Sequence, residues 1–103
     1  MEIIRQGDII LRKIEREQIP AILWGHRYNA GEIRIAGETG HAHVLKGIVY
    51  GDGRTGSVIE LTTPTELQHE EHDNILVQPG IYAVDSVRDY RAIKEGNNRY
   101  RFD

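Results

Sequence analysis

The apolar residues of this chain fall in short runs that are separated by turns rich in glycine or proline, and this pattern constrains the fold most. The runs contain many β-branched residues or alternate with polar ones, as β-strands do. About seven or eight such strands predict an all-β domain, a small antiparallel barrel or sandwich. The predicted strands are 9–14, 32–36, 41–50, 57–62, 65–70, 74–77 and 81–84, with the last extending through 87–90.

The chain of 103 residues has the length of one domain, and we expect a single β domain over 1–103. We predict at most one short helix near 15–24, because Pro20 lies in the middle of that segment. The segment 95–103 is rich in turn residues. We expect it to form a flexible tail that frays or covers a sheet edge.

The composition excludes several classes of function. The chain has no cysteine, which excludes disulfides, thiolate catalysis and cysteine metal sites. Its net charge of -3 gives no general attraction to nucleic acids or anionic lipids. No apolar run approaches the ~20 residues of a membrane helix, and the start has no signal-peptide pattern. We therefore expect a cytoplasmic protein without a membrane partner. We also expect a homo-oligomer, because small sheets leave unpaired edges.

Four of the five histidines form two close pairs. The first pair, His41 and His43, lies on a predicted strand, where residues two apart share a face. Both side chains could therefore reach one metal ion, and neutral imidazole is a common ligand for transition metals. The alternative interpretation is two partly exposed histidines at a strand end.

The second pair, His69 and His72, has two carboxylates between its members, Glu70 and Glu71. Histidines three apart can converge in a loop or a helical turn. Either glutamate could bind a metal, orient an imidazole or act as a general base. The alternative interpretation is a solvated loop, since 68–74 contains no apolar residue.

The two pairs together predict a site for a divalent transition metal, with zinc, iron, nickel and manganese as candidates. The predicted ligands are His41, His43, His69 and His72. Three ligands and a bound water would permit metal-assisted hydrolysis of a small molecule with Glu70 or Glu71 as the base, whereas four ligands would make the site structural. A simple meander would place His69 roughly 13 Å from His43. The pairs would then converge only if the strand pairing departs from a meander, if 69–72 folds back as a loop, or if two subunits meet.

Two other interpretations remain open. The segment 88–103 interleaves arginines with aromatic residues, a composition that can hold single-stranded nucleic acid, although we prefer a solvated edge and tail. A non-enzymatic binding or assembly module, for example a phage-related one, would leave the histidines without a function. The fifth histidine, His26, is treated as a surface residue.

The His41-Ala42-His43 segment on a predicted barrel, followed by Pro79-Gly80 and an apolar strand, resembles the cupin superfamily. Cupins carry His-x-His and a later Glu on one strand, and a further His after a Pro-x-Gly turn. Here Gly47 and Ile48 stand at the spacing of the Glu, and no histidine follows Pro79-Gly80. The resemblance implies a cupin-like barrel that binds a metal, with an incomplete ligand set.

A resemblance over most of the chain is to small uncharacterised bacterial and phage proteins. They share a Gln-Gly-Asp start, a Thr-Gly-His-x-His segment, a His-Glu-Glu-His segment and a Pro-Gly-x-Tyr turn. These segments are here 6–8, 39–43, 69–72 and 79–82, and 87–90 is similar to their arginine-acid-tyrosine strand. This resemblance implies no particular activity.

Overall fold

The computed structural model describes residues 2–36 and 40–94. Within these residues, eight strands, two short 3-10 helices and one α-helix follow one another. The strands are β1 (Ile3–Gln6), β2 (Ile9–Ile14), β3 (Arg27–Ala36), β4 (Ala42–Tyr50), β5 (Val58–Leu61), β6 (Thr65–Leu67), β7 (Ile75–Val77) and β8 (Gly80–Ser86). The 3-10 helices are Arg16–Gln18 and Ala21–His26, and the α-helix, α1, is Val87–Lys94.

Six strands form one antiparallel sheet that curls into half of a barrel. The strand order is β1-β2-β8-β5-β4-β3, so β8 lies between β2 and β5 near the middle of the sheet. β6 and β7 form a separate antiparallel pair. The prediction of a mainly β domain with antiparallel strands is therefore confirmed.

The main apolar core lies on the inner face of the curled sheet. Alternate side chains point inward along each strand, as Ile9 and Leu11 do on β2. Leu67 of β6 and Val77 of β7 are fully buried in the same cluster. The small sheet therefore packs over part of the inner face and removes it from water.

A second apolar cluster lies on the opposite face, where Ile19 packs with Ile14, Tyr50 and Val58. It anchors the segment between β2 and β3, in which Pro20 separates the two 3-10 helices. Proline lacks an amide hydrogen and disfavours the helical conformation in the residue before it. The segment near 15–24, which was predicted to hold at most one short helix, contains no α-helix and is divided by Pro20 into these two short 3-10 helices.

Helix α1 corrects one prediction, because residues 87–90 are helical and do not extend the last strand. The strand β8 ends at Ser86, whose hydroxyl accepts a hydrogen bond of 3.0 Å from the amide of Asp89. This bond satisfies one of the free amide groups of the first helical turn. Ser86 was therefore the residue in the sequence that indicated the change from strand to helix.

Three further differences concern the strand boundaries. The edge strand β1 was not predicted, β3 begins at Arg27, and β6 ends at Leu67. The predicted tail, 95–103, lies outside the described residues. None of the described helices has the length and hydropathy that crossing a membrane requires.

Candidate functional site

Four histidines from two segments of the chain lie together beside the turn between β1 and β2. The ring centre of His69 is 4.4 Å from that of His43, 4.6 Å from that of His72 and 5.9 Å from that of His41. The rings of His43 and His72 are nearly parallel and 6.5 Å apart. We call this group (His41, His43, His69, His72) the histidine cluster.

The strand pairing explains why the two pairs meet. β5 pairs with β4 and β8, so the chain leaves the large sheet after β5 and does not continue a meander. Gln68 then pairs with Val44, and the two residues exchange backbone hydrogen bonds of 2.8 Å. This register places His69 directly opposite His43. The separation of roughly 13 Å that a meander implies is therefore wrong, and the alternative of a departure from a meander is correct.

His43 is the buried member of the histidine cluster. It points inward on β4 beside Leu45, and its side chain has no exposed surface. Its Nδ1 lies 2.8 Å from Oε1 of Gln6, and its Nε2 lies 3.1 Å from Oδ1 of Asp8. Burial lowers the pKa of His43, and this outweighs the nearby carboxylate of Asp8, which favours the protonated ring and so raises the pKa. The imidazole is therefore held mainly in its neutral form.

The side chain of Gln6 fixes which nitrogen of His43 carries the proton. Its amide group donates hydrogen bonds of 2.9 Å to the backbone carbonyls of Leu67 and Asp73. The Gln6 oxygen is then the acceptor that faces Nδ1, so Nδ1 of His43 donates. In the neutral ring, Nε2 is left with a lone pair that points toward the carboxylate of Asp8.

Gly7 brings the turn between β1 and β2 against the second histidine pair. A Cβ atom at Gly7 would lie 2.6 Å from Nε2 of His72 and 3.4 Å from Cε1 of His43. The residue has a φ of +60°, which glycine adopts without strain. The absence of a side chain therefore lets His72 approach the turn that carries Asp8.

The sequence reasoning missed Gln6 and Asp8 as parts of the site. Both are far from the histidines in the sequence, and neither has a spacing that indicates metal binding. Their only signal was the Gln-Gly-Asp segment of the family resemblance.

The predicted catalytic residues, Glu70 and Glu71, lie beside His41 at the exposed side of the histidine cluster. There Nδ1 of His41 is 3.0 Å from Glu70, and Nε2 is 3.7 Å from Glu71.

Within residues 2–36 and 40–94, no three His, Asp or Glu side chains already surround one point as a metal site requires. Existing hydrogen bonds explain in part why these side chains do not converge on one point. Nδ1 of His69 accepts a bond of 3.0 Å from the amide of Glu71, and the two nitrogens of His43 face Gln6 and Asp8. The fifth histidine, His26, is exposed in the second 3-10 helix, as predicted for a surface residue.

The fold and the site define a class of small half-barrel β domains with a partly buried histidine cluster. The chain belongs to the family described as Domain of unknown function (DUF8820), whose model matches residues 5–86. This match confirms membership of an uncharacterised family and connects the chain with neither cupins nor phage proteins. No curated protein and no solved structure matches the chain.

Proposed function

We propose that this protein binds one divalent transition-metal ion at the histidine cluster, with His43, His69 and His72 as ligands and Asp8 or His41 as a further ligand. The observation that carries the proposal is the spacing of the rings. With metal–nitrogen bonds of about 2.1 Å, two imidazoles on one ion have ring centres roughly 4.5 Å apart when the bonds are at a right angle and roughly 6.5 Å apart when they are opposite. The distances among the proposed histidine ligands are 4.4, 4.6 and 6.5 Å.

The contact between His43 and Asp8 supports the same proposal. In the neutral tautomer that Gln6 selects, the lone pair of Nε2 faces a carboxylate oxygen at 3.1 Å. Two acceptors at this distance repel each other unless a proton or a cation lies between them. Two donor atoms on one metal ion are also about 3 Å apart when each metal bond is about 2.1 Å long. Imidazole ligands characteristically donate their other N–H group to an oxygen, as His43 does to Gln6.

Metal binding requires only local changes. His69 must turn its ring or present Nε2, because its Nδ1 accepts the amide hydrogen of Glu71. His72 is exposed, so its ring is free of core packing. A ligand set of imidazoles with a carboxylate suits zinc, iron, nickel and manganese.

The exposed side of the site is where a reaction would occur. A bound ion supplies a water molecule of lowered pKa, which is the basis of metal-assisted hydrolysis. His41 lies on this side and contacts both predicted bases, Glu70 and Glu71. In this arrangement a glutamate orients His41, and His41 or the glutamate accepts a proton. If all four histidines bind the ion, the site is structural instead.

The test is the metal content of tag-free protein, measured by plasma mass spectrometry before and after chelation, followed by calorimetric titration with zinc. We expect near-stoichiometric metal in the wild type and a loss of at least about tenfold in affinity for His72→Ala, because one ligand is removed. His26→Ala removes an exposed histidine outside the histidine cluster and is the matched control.

His43→Ala is the second variant, and its metal content should fall to background. His43 is buried, so His72→Ala keeps the experiment interpretable if His43→Ala does not fold. Wild-type protein that takes up no zinc, iron, nickel or manganese would refute the proposal. Equal zinc affinities of the His72→Ala and His26→Ala variants would refute the assignment of the ligands.

A further inference from the structure

A groove of about 360 Å³ lies between α1 and the outer face of β1 and β2. It is separate from the histidine cluster, which is on the inner face. The volume is in the range of small-molecule sites. The described residues of its lining are apolar except for two arginines, and none of them is acidic: Ile3, Arg5, Ile10, Val87, Tyr90 and Arg91.

The two arginines bring positive charge to this groove. Among the described residues, neither Arg5 nor Arg91 has a carboxylate within 4.0 Å, although ion pairs of this kind form at Arg12 and Arg16. Nε of Arg5 donates a hydrogen bond of 3.0 Å to the carbonyl of Gly7. This bond orients the guanidinium group and leaves its terminal nitrogens for another acceptor.

The apolar part of the lining restricts the ligand further. Ile10 is buried at the base of the groove, Ile3 is 37% exposed, and Val87 and Tyr90 are half-buried. An inorganic anion would use the guanidinium groups and leave these surfaces in contact with water. A molecule with an apolar or aromatic part would cover them as well.

We infer that this groove binds a small organic oxyanion, whose phosphate or carboxylate group pairs with Arg5 and Arg91 and whose apolar part rests on Ile3, Val87 and Tyr90. The first residue of α1 is held to the turn that carries Asp8, because the amide of Val87 donates a hydrogen bond of 2.9 Å to the carbonyl of Asp8. The inference does not depend on metal binding, since none of the lining residues belongs to the histidine cluster.

The test uses phenyl phosphate and benzoate as probes in calorimetric or NMR titrations of the full chain, with inorganic phosphate as the comparison. We expect one of the two organic probes to bind more tightly than inorganic phosphate. The stronger organic probe identifies the preferred anionic group. Arg5→Gln and Arg91→Gln should each weaken its binding by about tenfold, since a charge-assisted hydrogen bond is lost. Arg54→Gln is the control, because that side chain is 81% exposed and outside the groove.

Arg91→Gln changes an exposed helix position, so it should fold even if Arg5→Gln does not. The inference is overturned if neither organic probe binds, if inorganic phosphate binds as tightly as both, or if Arg91→Gln and Arg54→Gln have equal affinities. Zinc titration of the same variants separates the two proposals. A protein that binds the organic probe but no metal would support the groove and refute the metal site.

Discussion

At the scale of single residues, the surroundings of His41 and His43 differ although the two are only two positions apart. His43 is fully buried between Gln6 and Asp8, so the interpretation of a partly exposed strand-end histidine does not apply to it. That interpretation does describe His41, whose side chain is 39% exposed and contacts Glu70. The same sequence motif thus supplies one inner residue and one residue at the solvent boundary.

Gly7→Ala tests whether the close approach of the turn positions His72. The new Cβ would lie 2.6 Å from Nε2 of His72, so the exposed imidazole must rotate away. We expect a loss of stability of about 1–2 kcal/mol from the positive φ, together with zinc affinity lowered by about tenfold or more. Urea unfolding measures the first quantity and calorimetry the second.

Gly31→Ala is the control for Gly7→Ala. Gly31 has a similar φ of +69°, but a Cβ there would meet no atom within 4 Å. Its substitution should therefore lower stability by a similar amount and leave zinc affinity unchanged. Equal zinc affinities in the two variants would show that Gly7 has no part in positioning His72.

At the scale of the elements, a carboxylate on β5 connects the sheet to the first 3-10 helix. Oε2 of Glu60 lies 2.7 Å from Nη2 of Arg16, and the buried hydroxyl of Tyr50 donates to Oε1 at 2.8 Å. Burial alone raises the pKa of Glu60, but the hydrogen bonds from Arg16 and Tyr50 outweigh it, so the pKa is lowered. The ionised carboxylate therefore stabilises the folded protein.

Glu60→Gln should remove a pH-dependent part of the stability. Because the pKa of Glu60 is lower in the folded protein, its contribution is present above the unfolded pKa of about 4.3 and is lost as the pH falls through the folded value. We expect the stability difference between wild type and Glu60→Gln to be largest near pH 7 and to shrink below about pH 4. Urea unfolding at a series of pH values measures it.

Glu17→Gln provides the comparison for Glu60→Gln, since Glu17 is exposed in the same 3-10 helix. Its substitution should change stability little at any pH. A difference between wild type and Glu60→Gln that does not depend on pH would show that the ionised carboxylate is not what anchors this helix.

At the scale of the whole molecule, the histidine cluster joins the two sheets. His43 belongs to the large sheet, whereas His69 and His72 lie in the connection between the two strands of the small sheet. The side chain of Gln6 links them as well, through the carbonyls of Leu67 and Asp73. A metal ion at this position would therefore restrain the small sheet against the large one.

Hydrogen exchange with and without zinc should show this effect. We expect zinc to slow exchange of the amides of β6, β7 and the 68–74 connection, while β5 and β8 change little because none of the proposed ligands lies on these two strands or next to them in the sequence. The measurement is mass spectrometry of peptides from both regions. Equal changes in both regions, or none, would argue against a metal ion that bridges the sheets.

The period-two pattern of apolar residues was sufficient to predict the β class, because alternate burial on a half-buried sheet leaves that pattern in the sequence. It also placed His43 and Leu45 on one face, as the structure confirms. It did not predict α1, where the hydroxyl of Ser86 caps a helix that follows directly from a strand. Strand β1 was also missed. It lies at the edge of the large sheet, where its pairing with β2 holds it.

The sequence by itself determined which side chains were candidates for the site, since the histidine pairs stand out by type and spacing. Only the tertiary structure decided that the pairs meet, because the pairing of Val44 with Gln68 is a long-range contact that local patterns do not encode. The same holds for Gln6 on β1 and Asp8 in the turn after it, which reach His43 from more than thirty residues away in the sequence. Strand register depends on how the whole core packs, and that is a property of all the strands together.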